Sequence, residues 1–110
     1  MVIRLSRKMA KICNSERDMK AKLGEADARK LQQRLAELQS AETLEDMRSL
    51  PAARCHELTG DRKGQLAVDL VHPRRLVFEP DQTPPPTKED GGLDWKQVTR
   101  IVIVEIVDYH

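Results

Sequence analysis

The 110-residue sequence is poor in aromatic side chains, with one Trp, one Tyr and one Phe. That scarcity excludes an aromatic platform on which single-stranded bases stack, and it leaves Leu, Val, Ile and Ala to build the core. Cysteine is scarce as well. Cys13 and Cys55 stand alone, without a CxxC or a Cys–His zinc spacing, so neither a disulfide framework nor a structural metal is expected and both read as packed or half-exposed thiols. No stretch approaches the roughly 18 apolar residues of a membrane span, and the N-terminus lacks the apolar run of a signal peptide. A soluble cytoplasmic protein is the expectation. A Gly-rich phosphate loop, HExxH and GxSxG are all missing, which removes support for nucleotide hydrolysis, zinc proteolysis and serine hydrolysis, and no cofactor is expected.

What is present is charge and aliphatic patterning. Hydrophobic residues make up 39% and charged residues 34%, for a formal net charge of +1. The near-neutrality conceals an asymmetry: residues 1–34 carry a local +6 and residues 76–110 a local −4. The basic half permits contact with an anion on one surface, although a solvated helix face explains it equally well.

A single domain spanning residues 1–110 is expected, since this length supports one core. Residues 1–52 read as helical. Ser15-Glu16-Arg17-Asp18 has the form of a capping box, and Ala28, Leu31, Leu35 and Leu38 make an apolar stripe whose flanks carry Arg29, Lys30, Gln32, Gln33, Arg34 and Glu37. Thr43 is placed to cap a last short turn, which Pro51 stops. From residue 53 the period becomes two: Arg54 to Leu58, Leu66 to Val71 and Arg75 to Phe78 read as a meander of strands, and Val98 to Val107 as a central strand apolar on both faces. Three consecutive prolines make residues 83–92 a projecting loop. Helices followed by an antiparallel sheet predict an α+β two-layer domain.

Candidate chemistry has to come from few residues. The strand meander brings His56 toward Arg75, and Asp108, Tyr109 and His110 leave the last strand together. Imidazoles with a guanidinium and no metal ligands suit metal-free RNA transesterification. One group takes the 2′-hydroxyl proton, another protonates the departing 5′-oxygen, and arginine stabilises the phosphate charge. A hydrogen-bonded structural histidine, a surface arginine pair and a frayed terminus are the plainer explanations of the same residues.

The segments Cys55-His56-Glu57-Leu58-Thr59-Gly60-Asp61-Arg62-Lys63-Gly64, Arg75-Leu76-Val77-Phe78-Glu79 and Val104-Glu105-Ile106-Val107-Asp108-Tyr109-His110 resemble the HigB toxins of bacterial toxin–antitoxin modules, within the RelE/ParE superfamily. The resemblance implies a RelE-like α+β fold, cleavage of messenger RNA on the ribosome and growth arrest. It also implies neutralisation by a helix-turn-helix antitoxin of the HigA type, through which alone promoter DNA is bound. By position, His56, Arg75, Asp108, Tyr109 and His110 take the catalytic places, with Arg29, Lys30, Arg62, Lys63 and Arg74 as candidate contacts to RNA or ribosome. The chain departs from the family pattern at Glu57 and Thr59, where many relatives have Pro and Lys, at Arg74 in place of an aromatic residue, and in the length of the Pro-rich loop. Two other functions share the fold: a ParE-like toxin acting on DNA gyrase without nuclease activity, and an inactive member that binds only its antitoxin.

Overall fold

The computed structural model describes residues 1–108. Strand β1 (Val2–Leu5) comes first, followed by helices α1 (Arg7–Ile12), α2 (Glu16–Leu23) and α3 (Glu25–Ser40) and by short 3₁₀ turns at Leu44–Ser49 and Pro51–Ala53. Strands β2 (His56–Glu57), β3 (Leu66–Asp69), β4 (Arg74–Pro80) and β5 (Arg100–Asp108) complete a five-stranded sheet in the order β1-β5-β4-β3-β2. The meander β2-β3-β4 and the β4-β5 pair are antiparallel, whereas β1 runs parallel to β5. This is the expected α+β architecture on a mainly antiparallel sheet, with β1 as the parallel member. No helix among the described residues is long and apolar enough to cross a membrane.

The helical reading of residues 1–52 therefore fails at its start. Val2 and Ile3 are β-branched, and the sheet offers them an open edge on β5, so Val2–Leu5 pairs with Arg100–Ile103. Helix starts follow the side-chain oxygens: Ser6 accepts from the Met9 amide and Ser15 from the Asp18 amide. The turn ends at Ser49, with Leu50 before Pro51 out of the helical region, and Pro51 itself opens a second turn, where its missing N–H is harmless. Thr43 precedes the first turn without making a side-chain cap.

Helix α3 buries Ala28, Leu31 and Leu38 against the sheet, with Leu35 half-buried. Together with Met9, Leu44, Met47, Leu66, Val68, Leu76, Phe78, Trp95, Ile101 and Ile103 they form the core on the helix-facing side. Arg34, expected on an outer face, is instead only 3% exposed. It lies three residues after Leu31 and four before Leu38, on the apolar stripe itself. Its guanidinium donates to the carbonyls of Asp69 (2.7 Å) and Ala52 (3.0 Å) and to the Glu37 carboxylate (2.9 Å), tying α3 to the end of β3 and to the turn before β2.

The apolar run of β5 is two-faced as expected, with Val102 and Val107 on the side away from Ile101, Ile103 and Ile106, and its phase changes midway. Opposite Val77 sits Glu105, but opposite Phe78 sits Ile103, so Val104 is an extra residue in a bulge. Ile101 and Ile103 face the helices before the bulge, Ile106 faces them after it, and Glu105 is turned to the other face. The Ser6 hydroxyl donates to the Val104 carbonyl at 2.7 Å, which holds the bulge against the start of α1.

Candidate active site

The face of the sheet away from the helices is set by register. His56 opposes Ala67, Ala67 opposes Val77, and Asp69 opposes Arg75, which in turn opposes Val107. Because side chains alternate along a strand, His56, Asp69 and Arg75 share one face of the sheet while Glu57, Val68 and Leu76 take the other. The expected approach of His56 to Arg75 is present: Nε2 of the imidazole lies 3.5 Å from Nη1 of the guanidinium.

His56 is oriented from its other nitrogen. Arg54, just before β2, adopts φ +47° and ψ +49°, and its carbonyl oxygen lies 2.6 Å from His56 Nδ1. A left-handed backbone at a residue with a side chain is unusual and marks a position held by its surroundings. A carbonyl only accepts and a guanidinium only donates, so this pair of contacts selects the tautomer with the proton on Nδ1 and the lone pair on Nε2. The Nε2 atom facing Arg75 is thus an acceptor, as a general base requires.

Arg75 is held by more than the histidine. Its Nε lies 3.5 Å from Asp69 Oδ1, and Arg54 Nη1 lies 3.6 Å from Oδ2 of the same carboxylate. The Arg75 and Asp69 side chains are 23% and 24% exposed, which leaves the pair reachable from solvent without being freely hydrated.

The chain is similar in fold to a YoeB/ParE toxin from Agrobacterium tumefaciens. The likeness covers 100% of both chains with a TM-score of 0.54 at 9% sequence identity. No protein-family model matches the sequence, and no curated protein does either. The RelE/ParE type of fold expected from the motif residues is therefore the fold observed.

The other candidate residues are distributed differently. Asp108 opposes Arg74, and its carboxylate lies 3.4 Å from Arg74 Nε, on the side of the sheet opposite Arg75. Arg74 also donates to Asp27 (3.0 Å) and to the Leu23 carbonyl (3.2 Å). It bolts β4 to α2 and α3 and is directed away from the His56 face. Tyr109 and His110 lie outside the described residues.

Arg29 and Lys30 belong to α3 in the helix layer, where Arg29 pairs with Glu25 and Lys30 reaches Gln33. Arg62 is close to the candidate site. It donates to Gln65 and to Glu105, both at 2.9 Å, and Glu105 also pairs with Lys8 at 3.2 Å. The hydrogen bond from Arg62, with the help of Lys8, holds the Glu105 carboxyl below the ordinary glutamate range against the opposing effect of burial. Lys63 is exposed and borders a cavity of about 410 Å³ between the Gly60–Gly64 loop and the Pro-rich loop, whose walls include Leu58, Pro85 and Leu93.

Glu57, next to His56 in sequence, points to the other face of the sheet. Its carboxylate accepts from the indole Nε1 of Trp95 at 3.1 Å, on the other side of β2. The residues that motif reasoning missed are Arg54 and Asp69. Asp69 was legible only as the residue opposite Arg75 once the β3-β4 turn is placed. Nothing in the sequence announces the left-handed backbone of Arg54.

Proposed function

We propose that this chain is the toxin of a type II toxin–antitoxin pair, a HigB-like endoribonuclease that cuts messenger RNA on the ribosome and arrests growth. The observation that carries the reading is the approach of His56 Nε2 to within 3.5 Å of Arg75 Nη1 on one face of a RelE/ParE-type sheet. In the reaction, Nε2 takes the proton of a ribose 2′-hydroxyl and the 2′-oxygen attacks the adjacent phosphorus. Arg75 stabilises the charge gathering on the phosphate oxygens. The phosphorus–5′-oxygen bond breaks and that oxygen leaves with a proton, giving a 2′,3′-cyclic phosphate and a 5′-hydroxyl end. His110 is the acid in this scheme, with Asp108 and Tyr109 orienting the terminus. These three places come from the resemblance to the family.

The basic helices supply the attraction to ribosomal RNA. Arg7, Lys11, Arg17 and Lys22 are exposed on α1 and α2 and have no ion-pair partner among the described residues, unlike Arg29. Phosphate contacts of this kind are sequence-tolerant and salt-sensitive. Arg62 and Lys63 are the cations nearest the position of Thr59, where relatives carry a lysine. A HigA-type antitoxin is the partner that neutralises the toxin and carries the promoter contact.

The test is induced expression with growth followed and RNA 5′ ends mapped, for the unaltered chain and for His56→Gln and Arg75→Ala. Arrest with new 5′-hydroxyl ends, both lost in the variants, supports the proposal. Arrest with DNA-damage signalling and no new ends replaces it with action on DNA gyrase, and no arrest at all identifies an inactive member.

A further inference from the structure

We propose that Asp69 is a positioning residue for this reaction, bracing Arg75 and Arg54 so that the guanidinium and the imidazole face one another. The inference rests on the reading of His56 and Arg75 as the reacting pair. Four contacts close a ring. The Arg54 carbonyl holds His56 Nδ1, His56 Nε2 faces Arg75 Nη1, Arg75 Nε faces Asp69 Oδ1, and Asp69 Oδ2 faces Arg54 Nη1. One carboxylate therefore touches both arginines, one through the guanidinium that meets the phosphate and the other on the residue whose backbone orients the base.

One oxygen of Asp69 is committed to Arg75. Its Oδ1 is buried and has no hydrogen-bond partner among the described residues, only the 3.5 Å ion-pair approach of Arg75 Nε. A buried carboxylate oxygen without a hydrogen bond is costly unless a charge compensates it, and the facing guanidinium is the charge supplied. The backbone of Asp69 is fixed as well, since its carbonyl accepts from Arg34 at 2.7 Å. The carboxylate thus stands on a rigid strand end, which is where a residue has to be to set the direction of another.

The experiment uses ribosomes carrying a defined mRNA and measures single-turnover cleavage against ribosome concentration. Asp69→Ala is expected to lower the saturating rate by about 10- to 100-fold, as loss of orientation does, while the half-saturating ribosome concentration changes by less than about 2-fold. Asp69→Asn keeps an acceptor oxygen of the same shape and is expected to retain more of the rate. In an Arg75→Ala background, Asp69→Ala should cost clearly less than in the unaltered chain, since only the brace on Arg54 is left to lose. Equal losses in both backgrounds, or a changed half-saturation with an unchanged rate, overturn the proposal.

Side-chain nitrogen NMR of the free protein gives a readout that does not need cleavage. The unaltered protein should show His56 protonated on Nδ1 and a distinct Arg75 Nε–H resonance. In Asp69→Ala that resonance should move to the position of solvated arginines, and Asp69→Asn serves the same measurement if the alanine variant fails to fold. An Arg75 resonance unmoved in both variants overturns the role of Asp69. A protein that cleaves nothing, yet shows the shift, overturns the proposed function and leaves the positioning contact standing.

Discussion

Arg34→Met should cost this domain about 3 kcal/mol of stability. The substitution keeps an unbranched side chain of similar length on the apolar stripe of α3 and removes three donors, to the carbonyls of Asp69 and Ala52 and to Glu37. Glu37 is 21% exposed and keeps a bond from Gln33, so water can replace what it loses. The two carbonyls are less fortunate, and each unsatisfied group costs about 1–3 kcal/mol. Against that stands relief from burying a guanidinium, which for well-packed apolar replacements recovers part of the loss. The net of about 3 kcal/mol is a large part of the roughly 5–15 kcal/mol that holds a domain folded, and at this chain length it lowers Tm by about 12 °C or more. Urea titration at neutral pH measures it directly. Arg29→Met is the control, since Arg29 is 78% exposed and its pair with Glu25 one turn away contributes at most a few tenths of a kcal/mol. If Arg34→Met is as stable as the control, the two carbonyls do not depend on Arg34, and α3 is held to the sheet by its leucines alone.

Phe78→Ala, at a fully buried centre of β4, should cost about 3–5 kcal/mol in the same titration. Glu105→Gln tests the Arg62–Glu105–Lys8 contacts. Because the folded carboxyl titrates below its unfolded value, its stabilisation is complete above the ordinary glutamate range and is lost as pH falls through the lowered value. The variant should therefore be less stable than the parent near neutral pH and equal to it in strong acid. Burial pushes the Cys55 thiol up to about 12 and raises Cys13 by less complete burial, so alkylation of the folded protein at mildly alkaline pH should be slow at both and slowest at Cys55. Mass spectrometry after a timed iodoacetamide pulse would show the order. Replacing Arg7, Lys11, Arg17 and Lys22 together by Gln should weaken ribosome sedimentation with the protein and flatten its dependence on log salt by about 3 units of slope. An unchanged slope places the ribosome contact elsewhere.

The elements read correctly from the sequence are those whose information is local. Ser15 announces α2, the leucine spacing announces α3, and the alternation from Leu66 to Phe78 announces two strands and the turn between them. The errors sit where a distant partner decides. Residues 2–5 become a strand only because β5, nearly a hundred residues later, leaves an edge for them. Arg34 was assigned outward by its residue type, although its spacing from Leu31 and Leu38 placed it inward. The two-faced apolar run of β5 concealed a bulge, and the bulge decides which side Glu105 faces.

The same distinction accounts for how much of the candidate site was visible. His56, Asp69 and Arg75 fall on three successive strands of one meander, so alternation and register alone bring them to one face. Arg54 lies two residues before that meander, and its contribution is made by a backbone carbonyl, which residue type does not reveal. Alternation also decides where Glu57 points. On a strand of two residues His56 and Glu57 must point to opposite sides, and Glu57 is taken up by Trp95, itself beneath the guanidinium of Arg48 at 3.9 Å. The extra carboxylate is thereby committed to the scaffold beneath β2. Among the described residues, the charges gathered on the His56 side are those of Arg75, of the Asp69 that braces it and of Arg54 on the same carboxylate.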